Sequence, residues 1–435
     1  VRILYVVPNP PSLVRVRPFN LIRALAARGH AITVACPWRG AAEWEDVVRL
    51  REAGFQVLTA PLTAARIARN CVHAAVHGLP LQAAYGEVPA LHRQLEAHLA
   101  RPPGYHVVHV EHLRGARYGL HIQGFLARHG QRTEVPLIWD SVDCISHLFA
   151  QAAQQSQSRK GRWMARIELP RTRRYERYLL RRFHHVLVTS PVDREAFRAL
   201  SGAPGGHALA DRITVLPNGV DLAYFHCVDR GRDAATVLFT GKMSYHANVT
   251  AALYLIQEIM PRVWQALPQA QVLIVGKDPP DRLQALARAH PQVEVVGTVP
   301  DMRPYLHRAT VAAAPVVYGA GIQNKVLEAL ACGLPVVTSE TAARALKATW
   351  GKELLVASHA AVFAEKLVQV LRSRELQDQL RRAGRAYVER HHSWQAIAHT
   401  LEGVYERARS HPPAPPEGPP PVQDPFRMDL TPPTA

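Results

Sequence analysis

Short apolar runs alternate with helix-length amphipathic segments along almost the whole chain, and that alternation leaves few folds open. A strand followed by a helix returns to its sheet in parallel, so a long series of such units builds parallel sheets covered by helices on both faces. In the first half the expected strands are 2–7, 31–35, 55–59, 106–110, 136–139, 185–189 and 213–216. Between the first two, Phe19, Leu21, Ile22, Leu25 and Ala26 form a helical stripe that Gly29 is placed to end. A second series starts after Leu216-Pro-Asn-Gly-Val-Asp221, with strands at 236–240, 271–275, 293–297, 311–314, 334–337 and 354–356. The 435 residues exceed what one ordinary core accommodates. The pattern predicts an α/β chain of two doubly wound domains, linked near residues 217–235, with a ligand in the cleft between strand C-termini.

Within the second series, Val316–Ser339 (VVYGAGIQNKVLEALACGLPVVTS) reads as strand, glycine-bounded loop, short helix, turn and strand. Gly319 and Gly321 flank Ala320 and lack a Cβ, so the backbone through Ile322 can approach an anion closely. The helix that follows, opening near Gln323 and Asn324, turns its positive end toward that loop. Lys325 and Glu328 share a helix face. A cation beside the anion site and a carboxylate one turn on suit a nucleoside diphosphate, with Lys325 on phosphate and Glu328 on ribose hydroxyls. The competing reading is a solvated i,i+3 salt bridge on a surface helix.

Charge is unevenly distributed. Residues before Pro217 hold 29 Lys and Arg against 15 Asp and Glu, a net +14 out of the chain's +17. The densest stretch, Arg159–Arg182, carries ten basic residues against Glu168 and Glu176, interleaved with Trp163, Met164, Tyr175, Tyr178, Leu179 and Leu180. Such a face suits an anionic membrane surface or a polyphosphate lipid carrier, with RNA and a merely solvated face as the alternatives. No apolar run is long enough to span a bilayer, and the chain opens on an apolar strand without a signal-peptide layout. The five cysteines (Cys36, Cys71, Cys144, Cys227, Cys332) lack C-x-x-C pairing, which favours a reducing, cytoplasmic setting without a structural zinc. Ten prolines in the last 25 residues, from His411, predict a disordered or polyproline II tail over 411–435.

The block GAGIQNKVLEALACGLPVV resembles the donor-site signature of family 4 glycosyltransferases, closest to the branch found with bacterial exopolysaccharide clusters. Further segments match in order: Val107–Arg114 and Leu137–Asp143 resemble its acceptor domain, Val215–Phe225 its interdomain link, and Leu238–Asn248 the opening of its donor domain. The resemblance implies the GT-B fold, two Rossmann-like domains facing each other across a cleft, with an acceptor domain over 1–216 and a donor domain over 217–392. A last helix, about 393–408 with Trp394, Ile397, Leu401 and Tyr405, would cross back onto the first domain. It also implies transfer of a sugar from a nucleotide diphosphate sugar to a lipid-linked or polysaccharide acceptor, with retention of anomeric configuration. Carried over by position, Glu328 meets the ribose, the Gly319–Ile322 backbone meets the diphosphate, Lys242 stands where the family has a phosphate-binding Arg, and Gly241 before it joins the donor-binding set. The base would be read by backbone around Gly297–Asp301, with Val299 in its middle. Nothing selects UDP over GDP, and the chain carries no mark of sugar, linkage or oligomeric state. No D-x-D occurs, so helix dipole and cations would meet the diphosphate charge in place of a metal ion, and no cofactor is expected. Two positions depart from the family: Ala320 stands where a carboxylate is usual and Ala247 where a second lysine is usual. Lys325 is the candidate replacement for that missing charge, and Lys242, Lys325 and Glu328 are the expected catalytic group.

On the acceptor side, His109, Glu111 and His112 end one strand and Asp140 and Asp143 another, all expected to face the cleft. They would orient the acceptor, or supply a general base if transfer inverts; the plainer alternative for each is a capping or hydrogen-bonding role. Arg15 and Arg17, in the first strand-to-helix loop, are candidates for an acceptor phosphate, and Glu176 is expected to pair with its arginine neighbours. Ala320 motivates a second reading, a non-catalytic nucleotide-sugar-binding or partner subunit. RNA binding lacks a recognition motif, and a dinucleotide oxidoreductase lacks G-x-G-x-x-G after the first strand.

Overall fold

The computed structural model of the chain describes residues 1–12, 14–130, 135–155, 159–202, 211–228, 232–318 and 322–410. All thirteen expected strands form: β1 (Arg2–Val6), β2 (Ala31–Trp38), β3 (Gln56–Pro61), β4 (Val107–Glu111), β5 (Leu137–Val142), β6 (His185–Val188) and β7 (Ile213–Val215), then β8 (Thr236–Thr240), β9 (Gln271–Val275), β10 (Val293–Gly297), β11 (Val311–Ala314), β12 (Val336–Ser339) and β13 (Leu355–Ala357). They pair in parallel into two sheets, ordered β3-β2-β1-β4-β5-β6-β7 and β10-β9-β8-β11-β12-β13. Every residue of β4, β8 and β11 is buried, as strands covered on both faces require. The fold is therefore α/β with two Rossmann-like domains. Each sheet reverses its strand order once, between β1 and β4 and between β8 and β11. A crevice opens beyond the strand C-termini at such switch points.

The chain passes between the two sheets twice, and the two passages lie side by side. Val220 bridges Ser393 in parallel, the Val220 N–H donates to the His392 carbonyl at 2.8 Å, and the His392 imidazole bonds the Asn218 carbonyl at 2.7 Å. Gly219 is required there, because a Cβ would fall 2.5 Å from the Trp394 indole. After this return the helix Trp394–Ser410 buries Trp394, Ile397, Ala398, Leu401, Val404, Tyr405 and Ala408 against Ile3, Tyr5, Leu21, Ile22 and Leu25. Arg28 and Glu402 pair at 2.7 Å at its rim, but a partly exposed pair contributes less than about 1 kcal/mol, so the apolar face holds the helix.

The basic stretch is one helix, Arg159–Arg182, with Pro170 inside it. Its apolar residues divide: Tyr175, Leu179 and Leu180 belong to the core, whereas Trp163, Met164 and Ile167 are 64%, 44% and 36% exposed. Its acids point inward. Glu168 accepts from the Leu81 N–H at 2.9 Å as well as pairing with Arg171. Glu176 does not pair with its arginine neighbours as expected. It is fully buried and accepts from the backbone N–H groups of Ile145 (2.8 Å) and Ser146, at the start of the helix Ile145–Gln155. It thus satisfies donors that have no intrahelical partner, and burial pushes it up to about 7. The expected tail, 411–435, lies outside the described residues.

Candidate active site

The second-domain side of the cleft is built from loops after β8, β9, β10 and β11. These loops interlock through the backbone: Gly241 N–H donates to Val275 O (3.1 Å), Met243 N–H to Lys277 O (2.8 Å) and Gly276 N–H to Gly297 O (2.9 Å). Gly276 has φ +155°, and a Cβ there would sit 1.9 Å from the Gly241 carbonyl oxygen. Gly241 is crowded less tightly and by side chains, with Asn248 and the Lys325 ammonium 2.9 and 3.0 Å from where its Cβ would be. Gly319, Ala320 and Gly321 lie outside the described residues, but their flanks are anchored: Tyr318 is buried with its hydroxyl 2.5 Å from His246 Nδ1, and Ile322 is buried. Val299 is half-buried beside the Gly297 turn.

The helix Asn324–Ala331 starts at Gln323 without a side-chain cap among the described residues; Val326 N–H donates to the Gln323 carbonyl at 2.9 Å, and the N–H groups of Asn324 and Lys325 are those that an α-helix leaves without an intrahelical partner. Lys325 reaches across to Asn248, Nζ to Oδ1 at 2.6 Å, while Asn248 donates to the Lys242 carbonyl at 2.9 Å. The ammonium also lies 4.6 Å from the Phe239 ring centre. Lys325 and Glu328 do not form the surface salt bridge that their spacing allows: both are half-buried, and the Glu328 carboxylate has no hydrogen-bond or ion-pair partner among the described residues. Burial pushes Glu328 up to about 7, moderated by the nearby Lys325 charge, and pushes Lys325 down to about 8. Lys242 is exposed at the mouth of the same loop. Asn248 carried no signal in the sequence beyond its place in the first turn after that loop.

On the first-domain side the structure separates the expected residues into two levels. His109 and Asp140 are fully buried below the cleft floor. His109 stacks on Tyr5, bonds the Tyr405 hydroxyl at 2.9 Å and lies 3.5 Å from Asp140. They do not face the cleft, because the helix Trp394–Ser410 covers that face of β4. Arg17 is likewise not available to an acceptor phosphate: it is 6% exposed and paired with Asp140 at 2.8 Å, as a buried guanidinium requires. Arg15 is held by Glu43 at 2.5 Å and by the Pro10 carbonyl.

Glu111, His112 and Asp143 form the upper level. Glu111 pairs in register with Asp140, is 8% exposed and leaves Oε2 without a hydrogen-bond partner among the described residues. Burial and the Asp140 charge push it up to about 8, so it is mostly protonated at neutral pH. His112 sits at φ +62°, and burial and Arg114 push it down to about 3, leaving a neutral imidazole. Val142, just before Asp143, has φ +69°, a costly conformation for a β-branched residue. Asp143 is raised to about 7 by burial and by Asp193 behind it, and its charge acts in turn on Tyr245 of the second domain. Two strained residues therefore end β4 and β5 where the cleft opens, a signal that no local pattern carries. Among the described residues no three His, Cys, Asp or Glu side chains are grouped to ligate a metal ion, and no helix is long and apolar enough to cross a membrane.

Comparison with known proteins bears on both domains. The family model described as Glycosyltransferase Family 4 matches residues 14–224, and that described as Glycosyl transferases group 1 matches residues 234–373. The chain is 31% identical over 212 residues to a phosphatidyl-myo-inositol mannosyltransferase of Mycobacterium tuberculosis, an alignment covering 46% of this chain and 55% of that one. The chain thus spans about half the length of the curated relatives it matches. In three dimensions it is similar to sucrose-phosphate synthase from Thermosynechococcus elongatus, with TM-score 0.65, 19% identity and coverage of 94% and 99%. It is also similar to Anabaena HepE in complex with UDP-glucose, with TM-score 0.64, 13% identity and coverage of 93% and 99%.

Proposed function

Because the chain belongs to the family 4 glycosyltransferases and has their GT-B fold, we propose that it transfers a sugar from a nucleotide diphosphate sugar to a hydroxyl of a lipid-linked or polysaccharide acceptor, with retention of anomeric configuration. The donor side lies within 217–392, and the acceptor side within 1–216 together with the returning helix. The observation that carries the reading is Glu328, a half-buried carboxylate that no hydrogen bond or ion pair engages among the described residues, one turn from the N-terminus of the helix Asn324–Ala331. Ribose hydroxyls supply the missing donors. The diphosphate meets the helix N-terminus, Lys325 and Lys242, together with the backbone of Gly319–Ile322, and this arrangement calls for no metal ion. UDP-sugar and GDP-sugar both fit this description; the neighbour solved with UDP-glucose favours trying UDP first.

In a retaining reaction of this kind the leaving phosphate oxygen takes the acceptor proton, so no protein base is required. Neutral Glu111 and His112, with Asp143, then orient the attacking hydroxyl. Thermal-shift measurement with UDP, GDP, ADP, CMP and dTDP and their sugars is the direct test. A shift of several degrees with one base is expected, and none with any of them overturns the reading. Ala320 favours a second reading, nucleotide-sugar binding without transfer; release of nucleoside diphosphate in the presence of acceptor lipid extract excludes it.

Donor binding should follow a bell-shaped pH profile. Protonation of Glu328 removes its charge and turns one acceptor oxygen into an O–H donor, so affinity falls as pH drops through about 7. Deprotonated Lys325 loses its attraction for phosphate, so affinity falls as pH rises through about 8. Each limb approaches about tenfold per pH unit. Titration calorimetry checks this, and Glu328→Gln should abolish the acid limb alone; a flat wild-type profile from pH 6 to 9 counts against both assignments.

The acceptor side is proposed to work on the cytoplasmic face of an anionic membrane, reached through the helix Arg159–Arg182. Trp163, Met164 and Ile167 are exposed beside Lys160 and Arg166, the composition of an interfacial helix. Trp163→Ala combined with Lys160→Glu and Arg166→Glu should weaken binding to phosphatidylglycerol vesicles by at least about tenfold, at about 1 kcal/mol for each basic residue lost. UDP affinity should be unchanged, and equal vesicle binding removes the membrane reading.

A further inference from the structure

A single file of polar side chains runs from the core of the first domain to the mouth of the donor helix. Tyr405 bonds His109, His109 lies beside Asp140, and Asp140 holds Arg17 through Nε at 2.9 Å and Nη2 at 2.8 Å. Arg17 then leaves its own domain: Nη1 donates to the Pro217 carbonyl at 3.2 Å and to Asn218 Oδ1 at 2.9 Å. Asn218 Nδ2 in turn donates to Asn324 Oδ1 at 3.3 Å, on the first residue of the helix Asn324–Ala331.

The direction of each bond in this file is dictated by chemistry. A guanidinium has only donors, so Asn218 must turn its carbonyl oxygen toward Arg17. Its amide N–H then faces Asn324 and must find an acceptor there. Asn324 therefore presents its oxygen to Asn218, and its own amide N–H group, without a partner among the described residues, remains for whatever enters the crevice. The buried charge of Asp140 thus fixes, through two amides, the polarity of a side chain in another domain.

We infer that Asn218 is a positioning residue of the donor site: held by Arg17, it orients the Asn324 amide so that its N–H, and not its oxygen, meets the anionic diphosphate. This deepens the proposed donor site and rests on it. Asn324 touches the ligand; Asn218 acts only through it.

The discriminating substitution is Asn218→Asp. It keeps shape and the bond to Arg17, but two acceptor oxygens now require Asn324 to turn its N–H toward residue 218 and its oxygen toward the phosphate. UDP or GDP, whichever binds the wild type in the nucleotide panel, is the probe, with affinities from calorimetry for the wild type, Asn218→Asp, Asn324→Ala and the double variant. Each single change should weaken binding about tenfold, the effect of one hydrogen bond to a charged group. The double variant should bind about as well as Asn324→Ala alone, with melting temperatures near wild type throughout. Wild-type affinity in Asn218→Asp, or losses that multiply in the double variant, overturns the inference while leaving the donor site standing. Binding of neither nucleotide by the wild type removes both.

Discussion

Glu328→Ala should weaken nucleoside diphosphate binding by about 3 kcal/mol, a hundredfold or more, because a carboxylate accepting from two hydroxyls makes two charge-assisted hydrogen bonds. Its effect on stability should have the opposite sign. The folded state holds this carboxyl raised to about 7, so the ionised form opposes folding, and that penalty grows as pH rises from the ordinary carboxylate range through about 7. At pH 8 the unliganded variant should melt at or above the wild-type temperature. A residue kept for an ion pair behaves otherwise, since its removal leaves the partner stranded and lowers the melting temperature. Calorimetry and thermal melting on the same two proteins decide the matter. Unchanged affinity refutes the ribose assignment, and a lowered melting temperature refutes the claim that the carboxylate waits unpartnered.

The second large effect concerns backbone. Gly276→Ala would place a methyl group 1.9 Å from the Gly241 carbonyl oxygen, at φ +155°, which L residues rarely adopt. Neither neighbour is a side chain that can swing aside. The Gly241 loop is tied to Val275 and Asn248, and Gly276 itself to Gly297. Relief requires parting the ends of β8 and β9, which breaks the bonds that bring Lys242, Lys325 and the Gly297 turn together. We expect a loss of about 4 kcal/mol or more, in the range reserved for backbone incompatibility and core disruption, or failure of the second domain to fold. Urea denaturation followed by fluorescence measures it, and a loss below about 1 kcal/mol would mean that the two loops do not approach so closely.

What was legible beforehand follows the range over which each feature is decided. Strands buried on both faces must be continuous apolar runs, so the thirteen of them stand out along the chain. The helix Asn324–Ala331, proposed for the donor side, was legible as an element for a similar reason: glycine loop, lysine and glutamate fall within ten residues, and helical geometry alone aligns the last two. The first-domain residues proposed for the acceptor side depend on distant partners. His109 ends an apolar strand just as Glu111 does, yet Tyr405, 296 positions away, closes over it. Arg17 looks like a loop cation until Asp140 is brought beneath it. Glu176 sits among arginines in sequence and among the backbone donors of another helix in space. No helical or strand periodicity reports which face of an element will be covered by a segment hundreds of residues later.

The paired passages between the domains carry a mechanical implication. Two straps fastened to each other, as Val220 and Ser393 are, behave as one hinge pin. A swing about the line of that pin would leave the Val220–Ser393 bridge in place, whereas a motion that parts the two passages would have to lift the Trp394 indole off the Gly219 backbone. Were the two sheets to swing about that pin, the Asn218 contact would lie close to the pivot, where even a wide swing displaces atoms least.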